Sequence, residues 1–348
     1  MSTTHGGDWA AFQAEYGAAP LDFSANVSPL GVPEGVAEAI RAAAREIDRY
    51  PDPRCTALCA AIAEKEQAPR GSVLCGNGAA DLIWRAVFAA KPRRALVTAP
   101  CFGEYEAALE ASGCETLRFS LREPFAVTEK ILDLIDHNLD FIILCNPNNP
   151  TGRTVAPGLL QRIARRCGET GTRLLLDECF LDYLDEPSAH TMKPWLETFP
   201  CLVILRAFTK LYGMAGARLG YALGSDRAFL DAMQRAGPPW AVSTLAQAAG
   251  LAALADDDYV NHLRALIAAE RPRLFAALRD LGLRVIPGEA NFLLFQSAVP
   301  LDAALRERGI LIRNCGSFTG LDESWYRTAI RTPEDNERLI EALREILA

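Results

Sequence analysis
FIILCNPNNPTG, residues 141–152, opens with five apolar residues and closes with seven turn-formers. The run is apolar throughout rather than alternating, the pattern of a strand buried on both faces. Two Asn-Pro dipeptides and a Thr-Gly then stop it at once. A buried strand that ends abruptly in a rigid polar loop is a strand whose end has work to do.

The same arrangement recurs along the chain. VLC (73–75) runs into GNGAAD (76–81), and RALVTA (94–99) into PCFGEY (100–105). RLLL (173–176) is followed by Asp177 and Glu178, and CLVILR (201–206) by AFTK (207–210). Amphipathic helical stretches lie between or before them: GVAEAIRAAAREI (35–47) after Pro33, TALCAAIAEKE (56–66) and GLLQRIARRCGE (158–169). Strands alternating with helices predict an α/β fold, with a mostly parallel sheet flanked by helices. In such sheets ligands bind beyond the carboxyl ends of the strands, so these polar tails are expected on one edge.

The character changes near residue 240. Residues 243–282 read as one long alanine-rich helical region ending at Gly282. LRVIP (283–287), NFLLFQ (291–296), ILIRNC (310–315) and WYRTAIRT (325–332) read as strands, and EDNERLIEALREILA (334–348) as a last helix. The expected division is a large domain, 35–240, and a smaller α+β domain, 241–348 with the N-terminal segment 1–34.

The chain has 348 residues, 36 Lys and Arg against 44 Asp and Glu, and a net charge of −8. An acidic chain is poorly suited to bind a phosphate backbone, which argues against nucleic acid as a partner. No apolar run is long enough for a bilayer, and MSTTHGGDWA lacks the basic-then-apolar pattern of a signal peptide. A cytoplasmic protein is expected, with its ten cysteines reduced and used as small apolar residues. The four histidines show no metal-ligand spacing, and no metal is expected.

The strand tails carry a consistent chemistry. In FTKLYGMAGARLG (208–220) Lys210 and Arg218 are the only charges. A lysine in an apolar pocket has a lowered pKa and can form a Schiff base. A carboxylate such as Asp177 at a strand end can keep a pyridine nitrogen protonated. NPNNPTG puts an asparagine amide rigidly at the site, and GNGAAD opens a helix whose N–H groups can hold an anion. Tyr105 is placed to cover a flat ring. Together these ask for a flat, anionic, aldehyde-bearing cofactor, pyridoxal 5'-phosphate.

The ordered set GNG, PxFGEY, NPNNPTG, DE, TK and RLGY resembles the fold-type I pyridoxal-phosphate enzymes, in the subgroup of the histidinol-phosphate aminotransferases and threonine-phosphate decarboxylases. The resemblance spans nearly the whole chain. It implies a large domain with a mostly parallel sheet and a smaller α+β domain. It further implies Lys210 as the Schiff-base lysine, Asp177 at the ring nitrogen, Asn149 at the ring hydroxyl oxygen and Tyr105 stacked on the ring. Ala79, Ala80, Thr209 and Arg218, with Gly78 at the turn, look like the phosphate cup. Tyr50 in RYPDP looks like the tyrosine that reaches the neighbouring subunit's cofactor, which implies a homodimer. Arg327 looks like the arginine for the substrate carboxylate. Two positions depart from relatives: Phe180 stands where many have tyrosine, and Ala207 where serine or threonine is common.

Four local stretches and Phe180 favour the decarboxylases within the subgroup. HGGD (5–8), DFSANVSPLGVP (22–33), LIRNCGSFTGL (311–321) and RTAIRT (327–332) are similar to their segments. The resemblance implies decarboxylation of L-threonine O-3-phosphate for the cobalamin side chain, the alternative being an aminotransferase of the histidinol-phosphate type. Arg313, Arg331, His5, Asn26 and Ser28 are the candidates for the substrate phosphate.

Overall fold
The computed structural model describes residues 6–348. A two-residue strand, β1 (Leu21–Asp22), lies in the N-terminal segment. Seven strands then build one sheet: β2 (Val73–Gly76), β3 (Arg94–Ala99), β4 (Glu115–Ser120), β5 (Phe141–Cys145), β6 (Arg173–Asp177), β7 (Leu202–Ala207) and β8 (Gly220–Gly224). Their order is β2-β8-β7-β6-β5-β3-β4. Every neighbouring pair from β7 through β4 is parallel, and only β8, between β2 and β7, runs antiparallel to its neighbours.

The unbroken apolar runs have the cause expected of them. Leu96, Ile142, Leu144, Leu174, Leu176 and Ile204 enter one apolar cluster. The residues between them, Val97, Ile143, Leu175, Val203 and Leu205, enter another. Successive side chains of a strand point to opposite faces, so both faces of this sheet are core. Each such fully buried side chain contributes about 1.5–3 kcal/mol of hydrophobic stabilisation.

β4 and β8 were not anticipated. β4 is the sheet edge and its residues are half exposed, so ETLRFS lacks the apolar signature of its neighbours. β8 lies in a glycine-bounded stretch read only for its ligand-binding residues. The long helical region is also two helices, Thr244–Leu254 and Asp257–Asp280. Asp256 stops the first and caps the second, its side chain accepting from Tyr259 N.

Beyond it, β9 (Arg284–Val285), β10 (Phe292–Gln296), β12 (Arg313–Asn314) and β13 (Trp325–Ala329) form an antiparallel sheet in the order β12-β13-β10-β9. β11 (Ile310–Leu311) pairs instead with β1, in parallel. The N-terminal segment thus joins the C-terminal part, and it also touches the large sheet's loops: Ser28 N donates to the Lys210 carbonyl at 3.0 Å.

Candidate active site
A cavity of about 660 Å³ opens beyond the carboxyl ends of β3, β5, β6 and β7, a size suited to a small ligand. Residues of all three parts line it: Ala79, Asp177 and Lys210 from the sheet side, Asn26 from the N-terminal segment, Arg313 and Arg327 from the antiparallel sheet.

Lys210 sits in a one-turn helix, Phe208–Leu211, directly after β7. Burial is the main reason its pKa falls to about 8, and the Arg327 and Arg218 guanidiniums push in the same direction. A substantial neutral fraction, needed for attack on an aldehyde, is therefore present near pH 8.

Asp177 ends β6 and is 5% exposed. Its Oδ1 accepts from the Cys179 amide at 2.9 Å and its Oδ2 from the Tyr105 hydroxyl at 2.6 Å. This adds a contact to the expected role of Tyr105. Tyr105 lines the cavity and, although 0% exposed, also braces this carboxylate through its hydroxyl. Phe102 lines the cavity, is only partly buried, and stands at 85° to Tyr105 with centroids 5.6 Å apart. Phe102, which the sequence reading did not single out, stands in PCFGEY three residues before the tyrosine.

Asn149 is 7% exposed, and its Oδ1 accepts from Arg327 Nη1 at 2.5 Å. Arginine can only donate, so this bond turns the amide oxygen toward Arg327 and leaves Nδ2 to donate elsewhere. The helix Gly78–Ala90 brings Ala79 and Ala80 to the cavity, where first-turn N–H groups lack helical acceptors. Gly78, at φ +81°, lets Arg218 close in: a Cβ there would come 2.7 Å from Arg218 Nη2. Thr209 and Arg218 line the same end. Backbone N–H groups, a hydroxyl and a guanidinium together form a donor set for a phosphate.

On the opposite wall Arg313 and Arg327 are cross-strand partners on β12 and β13. Arg327 is 6% exposed, donates from Nη2 to the Ser24 carbonyl at 2.7 Å, and has no partner at Nε. Burial, reinforced by Arg313, lowers its pKa to about 10. Arg313 is 8% exposed and donates to Ser317 Oγ at 2.8 Å. Both guanidiniums line the cavity, and guanidiniums suit carboxylate and phosphate groups. Asn26, 2% exposed, leaves both polar side-chain atoms without partners at the cavity. Buried unpaired polar atoms are costly, and these two belong to a residue lining the cavity, where a ligand could pair with them.

The remaining candidates fall elsewhere. Arg331 does not line the cavity: its Nε pairs with Asp335 at 2.9 Å and its Nη1 with the Asp22 carbonyl at 3.2 Å, because the chain has already left β13. Ser28 is turned away as well, its Oγ 2.6 Å from the Tyr259 hydroxyl. His5 lies outside the described residues, although Gly6 reaches the cavity. Tyr50 is 78% exposed, stacks on Trp240 at 4.6 Å, and does not line its own chain's cavity. The sequence reading also missed Ser317 and Phe318, cavity residues inside LIRNCGSFTGL whose facing only the β12–β13 connection sets. Among the described residues no cluster of His, Cys, Asp and Glu is arranged to hold a metal.

The family model of the class I and II aminotransferases matches residues 19–343. The chain is 40% identical to a threonine-phosphate decarboxylase of Salmonella typhimurium, over 100% of this chain and 97% of that one. It belongs to the class I and II aminotransferase family. Within that family it is also 35% identical to a histidinol-phosphate aminotransferase of Symbiobacterium thermophilum, over 92% of this chain and 89% of that one. Among solved structures, the L-threonine-O-3-phosphate decarboxylase of Porphyromonas gingivalis superposes with a TM-score of 0.83 at 26% identity, covering 94% of this chain and 99% of the other. The protein is a pyridoxal-phosphate-dependent enzyme with the fold-type I architecture. The lysine of lowered pKa, the braced carboxylate and the phosphate-suited donor set fit that cofactor.

Proposed function
We propose that this enzyme decarboxylates L-threonine O-3-phosphate to (R)-1-amino-2-propanol O-2-phosphate and CO₂, a step that supplies the cobalamin side chain. The observation that carries the reading is Arg313 opposite Arg327, two buried guanidiniums on one wall of the cavity. A substrate with two anionic groups, a carboxylate and a phosphate, matches that wall. The full-length similarity to a threonine-phosphate decarboxylase supports it.

When bound, pyridoxal phosphate supplies the electron sink for a bond broken at the substrate Cα. Lys210 would take its aldehyde, Asp177 its ring nitrogen, Asn149 Nδ2 its ring oxygen and Tyr105 one ring face. Ala79, Ala80, Thr209 and Arg218 would hold its phosphate. Arg327 would grip the substrate carboxylate, and Arg313 with Asn26 the substrate phosphate. Gripping both ends fixes the rotation about the Cα–N bond and so selects which Cα bond is aligned to break. Lys210, titrating near pH 8, is suited to return a proton to Cα. We place the enzyme in the cytoplasm as a homodimer, with the exposed Tyr50 reaching the partner subunit's cofactor phosphate.

The test is incubation of the holoenzyme with threonine phosphate. Release of CO₂ with many turnovers is expected. Formation of one equivalent of pyridoxamine phosphate without CO₂ would instead establish the aminotransferase chemistry of the histidinol-phosphate type.

A further inference from the structure
Three thiols meet where the helix Thr56–Lys65 packs on β2. Cys55, at the start of that helix, and Cys75, in β2, are buried in one apolar cluster with Leu58 and Ile62. Cys59, one turn along the helix, is only partly buried, and its Sγ lies 3.5 Å from Cys75 Sγ. A disulfide has an S–S distance of about 2.05 Å, so a shift of roughly 1.5 Å closes this gap.

The two thiols are unlike. The hydrogen bond from Cys75 lowers the Cys59 pKa, which favours its thiolate. Hydrogen bonding with Cys55 and Cys59, and burial, push Cys75 well up. Cys59 is thus the accessible nucleophile, and Cys75 the resolving thiol beside it. Neither lines the cavity, yet Cys75 stands three residues before Gly78.

We propose that Cys59 and Cys75 form an oxidisable dithiol, a modification site that closes to a disulfide on meeting hydrogen peroxide. The Cys59 thiolate attacks one peroxide oxygen, the O–O bond breaks, and hydroxide leaves, taking a proton to become water. Cys59 is then a sulfenic acid. Cys75, giving up its proton, attacks the Cys59 sulfur; the S–O bond breaks and a second water leaves. Two thiols and one peroxide give one disulfide and two waters, with two electrons passing from sulfur to oxygen.

The test exposes the holoenzyme to hydrogen peroxide, alkylates the remaining thiols, and maps unreduced peptides by mass spectrometry. A Cys59–Cys75 cross-linked peptide is expected, with two thiols lost and both recovered by dithiothreitol. Cys59→Ser abolishes the cross-link and leaves basal activity unchanged, whereas Cys55→Ser retains the cross-link. Oxidation of Cys59 to a sulfinic acid with Cys75 still alkylatable would overturn the proposal. So would a Cys55–Cys59 link in the wild-type map, a result that needs no variant to fold.

Discussion
Lys210 and Asp177 are each set by their surroundings more than by their own chemistry. Burial beside Arg327 and Arg218 disfavours the Lys210 ammonium and brings its pKa to about 8, against about 10.4 for a free lysine. Reductive methylation by formaldehyde needs the neutral amine. In the cofactor-free protein the rate at the Lys210 peptide is therefore expected to rise through pH 8 and level off above it. A rate still climbing at pH 10 would contradict the burial argument. For Asp177 the decisive neighbour is the Tyr105 hydroxyl. A hydrogen bond to a charged acceptor is worth about 1.5–3 kcal/mol. Tyr105→Phe should then lower kcat roughly 10- to 150-fold while the cofactor's visible absorbance persists. Lys210→Ala should abolish turnover and that absorbance together. Tyr105 was legible in sequence by type and place, but its bond to Asp177 was not. Only the tertiary packing brings its hydroxyl to the Asp177 carboxylate.

The strand ends are the elements that assemble the site, and β6 and β7 are held in register by a buried ion pair. Glu178, just past β6, is 0% exposed and accepts from Arg206 of β7 at 2.9 and 3.1 Å. Arg206 also pairs with Asp182, which Arg264 meets from the helix Asp257–Asp280. Asp177 precedes this pair by one residue and Lys210 follows it by four, so the pair braces both. Removing one partner leaves a buried charge uncompensated, at a cost of about 3–5 kcal/mol. Arg206→Met is expected to lose about that much in urea unfolding, with part recovered in the Arg206→Met, Glu178→Gln double variant. Loss below about 1 kcal/mol would show the pair to be as weak as a surface ion pair. The bounds of β3 and β5 coincide with the apolar runs RALVTA and FIILC, since two-sided burial writes itself into composition. β4 and the break at Asp256 left no such trace: one is a solvated edge, the other a single capped turn.

At the scale of the whole molecule, the cavity exists because three stretches distant in sequence close on it. Arg327 joins them physically, bonding Asn149 of the β5 loop and the Ser24 carbonyl of the N-terminal segment. The proposed homodimer adds a fourth contribution, Tyr50 from the partner chain. Mixing inactive Tyr50→Ala and Lys210→Ala subunits tests it. In a hybrid dimer one site keeps both residues, so random reassociation should restore about a quarter of wild-type activity. No recovery despite confirmed subunit exchange would show that Tyr50 serves no neighbouring site. The sequence by itself determined the parallel sheet, the edge on which the ligand groups gather and the identity of the cofactor, because buried strands and their polar tails are local patterns that spacing preserves. Only the tertiary structure decided which of those groups face the cavity. Arg313 and Arg327 face it because β12 and β13 pair them, whereas Arg331, four residues on from Arg327, turns to Asp335. Facing depends on the pairing of distant strands and the packing around them, and neither is written in the spacing of any one segment.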